Sequence, residues 1–293
     1  MVDASEPAVK SVEVDGYEVK CYIGGSGGEA VLCLNGGPGL PCDYLRNAHL
    51  FLASEGFQVV AFDQLGCGAS AKPDNPSLWT IGRYVEEVEA VRQQLDLGTV
   101  HLLGHSWGGW LSVEYMTRYA DNVRSLILAD TCANIPHLRS ELMRLREALG
   151  AETQAMMLAH EADGTLNHPE YEAAITILNH RHVCRLPGQW PESLLRSLSD
   201  WNMDVYGPMQ GPNEFLYTGN LRDWNRWESL TAITCPVLIV VGQHDEITPA
   251  CAREMGDRIG NSTTVVFQNS SHMPFYEEPD AYRQRLLRFL RAQ

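Results

Sequence analysis

Val100-His101-Leu102-Leu103-Gly104-His105-Ser106-Trp107-Gly108-Gly109 passes from a short apolar run into a G-x-S-x-G turn and on into residues of helical pattern reaching about Tyr119. A serine on so sharp a strand-to-helix turn stands clear of the chain on both sides, as a nucleophilic hydroxyl must. Glycine is needed at the flanking positions because a side chain there would strike neighbouring backbone. The helix that follows aims its free N–H groups and positive end at a developing oxyanion. Ser106 is therefore the candidate nucleophile.

Outward from this turn, strand runs alternate with helices of ordinary length. Val19, Cys21 and Ile23 alternate with polar neighbours, and Ala30–Leu34, Gln58–Phe62 and Ser125–Ala129 are short apolar runs. Ile81, Tyr84, Val85, Val88, Val91 and Leu95 recur at helical spacing up to Gly98. Strand pattern resumes at Pro236–Gly242 and Thr264–Phe267, and a closing helix carries Tyr282, Leu286, Leu287 and Leu290. This order predicts an α/β fold, a mostly parallel central sheet with helices on both faces. From 132 to 227 the chain reads as helix and loop without a strand, its second half crowded with aromatics and prolines. The expected organisation is a core of 1–131 and 228–293 interrupted by a helical cap at 132–227.

The chemistry needs partners for Ser106. Asn35-Gly36-Gly37-Pro38-Gly39 follows an early strand run and frees backbone amides to approach a substrate. The backbone N–H groups of Gly37 and Trp107 are the candidate oxyanion donors. A base should come late in the chain if the order is Ser…Asp…His. His101 lies in a strand run, His105 inside the turn, and His160, His168, His180 and His182 in the cap segment. His272, in the loop Asn269-Ser270-Ser271-His272-Met273-Pro274 after the last strand run, can reach back across the sheet edge and is the candidate base. Asp245, in Gly242–Pro249, is the candidate acid that fixes the imidazole. Asp130, after the Ser125–Ala129 run, is its rival.

Composition narrows the partners. Of 293 residues, 22 are Lys or Arg and 37 Asp or Glu, a formal charge of −15. No basic stripe is present for a nucleic-acid backbone, so no nucleic-acid partner is expected, and the acidity reads most simply as solubility. Eight cysteines are scattered, without a C-x-x-C pair, which points to a reducing compartment and no structural zinc. Asp3, Glu6 and Lys10 open the chain without an apolar leader. No apolar stretch approaches the roughly 18–20 residues that span a bilayer, so no membrane partner is expected and the cytoplasm is the expected location. The chemistry calls for no metal and no organic cofactor, and nothing in the chain fixes an oligomeric state.

Together, Leu34–Gly39, Asp63-Gln64-Leu65-Gly66-Cys67-Gly68-Ala69-Ser70, Gly104–Gly109, Gly242–Pro249 and Ser271–Pro279 resemble the proline iminopeptidase (prolyl aminopeptidase) group of α/β-hydrolases and the related L-amino-acid amidases. The Asp63–Ser70 stretch is similar to that family's D-Q-x-G-x-G-x-S signature. In the cap the resemblance narrows to Gly211-Pro212-Asn213-Glu214-Phe215. Asn35 stands where the family often has histidine, and Leu65 where arginine is common, which suggests a side branch with its own substrate preference. The resemblance implies an α/β-hydrolase fold and a serine hydrolase. It also implies that Glu214 and Glu246 bind the substrate's free amino terminus, a task suited to carboxylates in a low-dielectric pocket. Tyr206 is a further candidate for the pocket wall.

The expected activity is release of an N-terminal residue, proline or another small or apolar one, from a small peptide, or cleavage of an amino-acid amide, through an acyl-enzyme. An esterase, a lactonase or a tailoring hydrolase of secondary metabolism would use the same triad. A non-catalytic ligand-binding member of this fold fits the complete triad poorly.

Overall fold

In the computed structural model, which describes residues 6–293 (Asp3 lies outside them), the strand runs join into one eight-stranded sheet. The chain forms β1 (Ala8–Val14), β2 (Tyr17–Gly24), β3 (Glu29–Leu34), helix α1 (Asp43–His49) and β4 (Phe57–Phe62). It continues through α2 (Ile81–Gln94), β5 (Val100–His105), α3 (Trp107–Tyr119) and β6 (Val123–Ala129). Five helices without a named strand follow: α4 (Ile135–Glu147), α5 (Ala151–Asp163), α6 (Pro169–His182), α7 (Glu192–Ser199) and α8 (Met203–Met209). The sheet then resumes with β7 (Val237–Gly242), α9 (Pro249–Gly256), β8 (Ser262–Phe267), α10 (Pro274–Glu277) and α11 (Pro279–Leu290).

The strand order is β1-β2-β4-β3-β5-β6-β7-β8, antiparallel in the first two pairings and parallel in the remaining five. β4 lies on one side of β3 and β5 on the other, so the winding reverses between β3 and β5. The carboxyl ends of strands at such a reversal diverge and leave a crevice, the usual ligand position in an open α/β sheet. Asn35 and Ser106 follow directly on these two strands.

Alternate residues of each parallel strand feed two separate cores. Leu32, Leu34, Leu102, Leu126, Leu128 and Ile239 pack with Val85 and Val88 of α2, Leu111 of α3 and Met255 of α9. Val31, Cys33, Leu103, Ile127, Leu238 and Val240 face the other way, toward Leu45 of α1 and Leu286 and Leu290 of α11. Burial on both faces explains why these strands read as unbroken apolar runs.

β1, α1 and the short helices α9 and α10 lie outside the expected pattern. β1 buries only Val12 and Val14, because it pairs on one side alone, and its hairpin to β2 turns on Asp15-Gly16, both at positive φ. Helix α1 spans two turns, too short for a periodic signal. No helix among the described residues is long and apolar enough to cross a membrane. All eight cysteines are free thiols.

Candidate active site

The elbow is built from backbone constraints. Ser106 takes φ 56° and ψ −122°, a strained conformation held by its N–H donating to Ala129 O (3.0 Å) and its own carbonyl accepting from Thr131 Oγ1 (2.8 Å). A Cβ on Gly104 would clash with Gly108 O, and one on Gly108 with Leu34 O, so the two glycines let β5, α3 and β3 approach closely. The first helical amide, Trp107 N–H, donates to no group among the described residues, and neither does Gly37 N–H. Gly37 sits at φ 109°, where a side chain would also crowd the Leu40 backbone. Both proposed donors are thus free, although only Gly37 of the two lines the cavity; the Trp107 indole is turned away, donating to Gln64 Oε1 at 2.9 Å.

His272 Nδ1 donates to Asp245 Oδ1 at 2.7 Å, and the same oxygen accepts Ile247 N–H at 2.9 Å. Of the two candidate acids, Asp245 therefore contacts the imidazole; Asp130 hydrogen-bonds Gly242 N–H at 3.0 Å. Burial alone would lower the His272 pKa, but the Asp245 carboxylate, then Glu214 and Glu277, overcome it and hold the group above the ordinary histidine range. Ser106 Oγ makes no hydrogen bond among the described residues, yet Ser106 and His272 line one cavity. Nucleophile–base bonds are commonly long before substrate binds.

That cavity, of about 200 Å³, also takes in Gly37, Tyr206, Glu214 and Glu246. Glu246 Oε1 lies 3.7 Å from His272 Nε2, while Glu246 Oε2 is buried with no hydrogen-bond partner among the described residues. Glu214 Oε2 accepts from Gln210 Nε2 at 2.8 Å, and the same amide donates to Tyr206 Oη at 2.7 Å. Burial, then the charges of Glu214 and Asp245, push the Glu246 carboxyl well up; burial likewise raises Glu214, against the pull of His272, Gln210 and Tyr206. Such a pair favours a cation between its members. Much of the remaining lining is apolar: Leu40, Trp190, Leu194, Leu198, Trp201 and Met203. No Lys or Arg side chain lines the cavity.

Several supporting residues carry no motif signal. Tyr44 Oη accepts Gly36 N–H (2.7 Å) and bonds His105 Nδ1 (2.7 Å), and His105 Nε2 bonds the His272 carbonyl (2.9 Å). Burial, then His272, hold His105 well below the usual histidine range, so it is neutral. Its Nε2–H donates to the carbonyl, and the tyrosine hydroxyl donates to Nδ1. Glu277 accepts Ser271 N–H (2.7 Å) and Ser271 Oγ (2.8 Å), shaping the loop that carries His272. Spacing could not have flagged His105, since its partners lie 61 and 167 residues away. The Asp63–Ser70 stretch is scaffolding. Asp63 Oδ1 accepts Cys42 N–H at the start of α1, and Oδ2 accepts Tyr22 Oη and Ala69 N–H, each at 2.9 Å.

The five-helix segment closes over this end of the sheet. Trp201 Nε1 donates to Pro38 O (2.8 Å), Asn202 N–H to Gly39 O (3.0 Å) and Asn202 Nδ2 to Gly66 O (2.6 Å). At its other side Glu246 N–H reaches His182 O at 3.2 Å. One group of potential metal ligands, His160, His168 and Glu170, lies on the α5–α6 connection outside the cavity.

A family model for the alpha/beta hydrolase fold matches residues 29–279. A proline iminopeptidase of Heyndrickxia coagulans is 37% identical over 257 residues, covering 87% of this chain and 88% of its own. The solved structure of a proline iminopeptidase from Mycobacterium smegmatis superposes with a TM-score of 0.89 at 32% identity, over 97% of this chain and 98% of that one. VinJ superposes with a TM-score of 0.93 at 33% identity, over 98% and 99% of the two chains. In sequence and in backbone alike, this chain belongs to the proline iminopeptidase family of α/β-hydrolases.

Proposed function

We propose that this protein is a serine hydrolase that releases an N-terminal residue, proline or another small or apolar one, from a peptide or an amino-acid amide. The observation that carries this reading is the carboxylate pair Glu214 and Glu246 in the same cavity as Ser106 and His272, with a buried Glu246 oxygen free of partners. A protonated amine placed between the two carboxyl groups would satisfy that oxygen and remove their mutual repulsion. Segment 132–227 acts as the cap, supplying Glu214 and all of the apolar lining named above except Leu40, while 1–131 and 228–293 supply the core.

In the mechanism, Glu214 and Glu246 hold the ammonium or prolyl iminium group, which sets the scissile carbonyl over Ser106. Ser106 Oγ attacks as His272 Nε2 takes its proton, and Asp245 steadies the imidazolium at Nδ1. The Gly37 and Trp107 N–H groups receive the oxyanion. His272 protonates the leaving amine, and water activated by the same imidazole then frees the acyl group. Because no Lys or Arg side chain lines the cavity, an uncharged amine is the better leaving group. A leaving peptide with its own carboxylate close by finds no partner there. Eight free thiols support a reducing, cytoplasmic setting.

The deciding experiment compares prolyl and alanyl anilides with their N-acetylated forms. Turnover should need the free amine. Equal rates on both would remove the aminopeptidase reading and leave an esterase or lactonase.

A further inference from the structure

Asp130 follows β6 and Asp245 follows β7, adjacent parallel strands, and Asp130 N–H donates to Val240 O at 2.8 Å. Asp130 Oδ1 accepts Gly242 N–H, and Gly242 O accepts Asp245 N–H at 3.2 Å, so the two side chains stand on loops joined at Gly242. Each carboxyl is buried (0% and 1% exposed), and each has one oxygen, Oδ2, with no hydrogen-bond partner among the described residues. Two carboxylates are acceptors only, so a bond between them needs one proton. The remaining oxygens show which side keeps it. Asp245 Oδ1 accepts two donors, His272 Nδ1–H and Ile247 N–H, whereas Asp130 Oδ1 accepts one, Gly242 N–H. Asp130, with the fewer donors, is the side with need of the proton.

We infer that Asp130 is a positioning residue for the hydrolytic reaction: its protonated carboxyl donates a hydrogen bond to the outer oxygen of Asp245 and so fixes the carboxylate that orients His272. Burial, then the charge of Asp245, favour the protonated form of Asp130. The titratable groups that sense its charge are Asp245 from the β7–α9 loop, Glu277 of α10 and Tyr282 of α11, and no Lys or Arg among the described residues pairs with it. Its backbone lies at φ 50°, which Asp and Asn tolerate better than other side chains. The arrangement gives Asp245 a donor on both oxygens, so its carboxylate plane cannot rotate away from the imidazole.

The inference rests on the triad reading above and is tested apart from it. Kinetic constants and pH profiles of kcat/KM are measured on an alanyl anilide for the parent, Asp130→Asn, Asp130→Ala and Ser106→Ala. Asparagine can keep its oxygen on Gly242 N–H and offer Nδ2–H to Asp245, so Asp130→Asn should hold kcat within about three-fold, with the acidic limb unmoved. Asp130→Ala removes the donor and should lower kcat by about ten-fold or more at little changed KM. The inference is overturned if the acidic limb of Asp130→Asn drops by about a unit, which is what removing a negative charge beside the triad would do. It is equally overturned if Asp130→Ala keeps parental kcat. Should Asp130→Ala fail to fold, the Asp130→Asn profile decides alone. Substantial turnover by Ser106→Ala would instead overturn the triad reading and this inference with it; an inactive Ser106→Ala beside a shifted Asp130→Asn would sink the inference only.

Discussion

His105 Nε2 donates to the main-chain carbonyl of His272 across 2.9 Å, so the residue preceding the proposed nucleophile holds the backbone of the proposed base. Through Tyr44 the same imidazole reaches Gly36, beside the Gly37 amide. One buried ring therefore sets the spacing of three loops. His105→Ala should unfold at lower denaturant, by about 2–4 kcal/mol for a buried ring lost with both its bonds. It should also lower kcat more than it raises KM. Urea titration and steady-state kinetics on an anilide check both, and an unchanged kcat would show the three loops to be independent.

Ser106→Ala should retain the fold and lose hydrolysis on the order of 10⁶-fold, leaving what binding and the oxyanion donors supply. Labelling by a fluorophosphonate should vanish with it. A variant that still labels would place the nucleophile elsewhere.

Glu214→Gln and Glu246→Gln should each lower kcat/KM for a free-amine substrate by roughly 30-fold, the worth of a charge-assisted bond in a dry pocket. Glu246→Gln should also stabilise the protein. The folded-state pKa of Glu246 lies above the unfolded value, so the stability it contributes is complete below about 4.5 and is lost as pH rises through the folded pKa. Near neutral pH the amide avoids that loss, raising Tm by about 2–4 °C for each kcal/mol recovered. Thermal melts at pH 5 and pH 8 test the sign, because the gain should be larger at pH 8.

The proposed base must be neutral to take the serine proton, and His272 is held above the ordinary histidine range. The acidic limb of kcat/KM should accordingly fall at a pH above about 6.5. In Glu214→Gln, which removes one of the negative charges that raise His272, the limb should move down. A limb that stays put would mean that Glu214 and His272 do not sense each other.

How much of this was legible beforehand follows from where the information sits. The core strands were readable because burial on both faces makes Leu32, Leu102, Leu126 and Ile239 parts of unbroken apolar runs. Gly37, Ser106, Asp245 and His272 could be located because each lies just past such a run, at the sheet's carboxyl edge. β1 was missed since a one-sided edge strand buries only two residues. His105 could be dismissed as part of the turn because its hydrogen bonds join points far apart in the chain. Glu277 is similar: inside a stretch already noted for resemblance, its carboxylate serves the main chain of its neighbours, a use no residue pattern announces.

Trp201 and Asn202 tie the connection between α7 and α8 to Pro38 and Gly39 in the loop after β3 and to Gly66 in the loop after β4. Displacing that one connection would therefore cost both loops a support at once, and with it the fixed setting of the Gly37 amide.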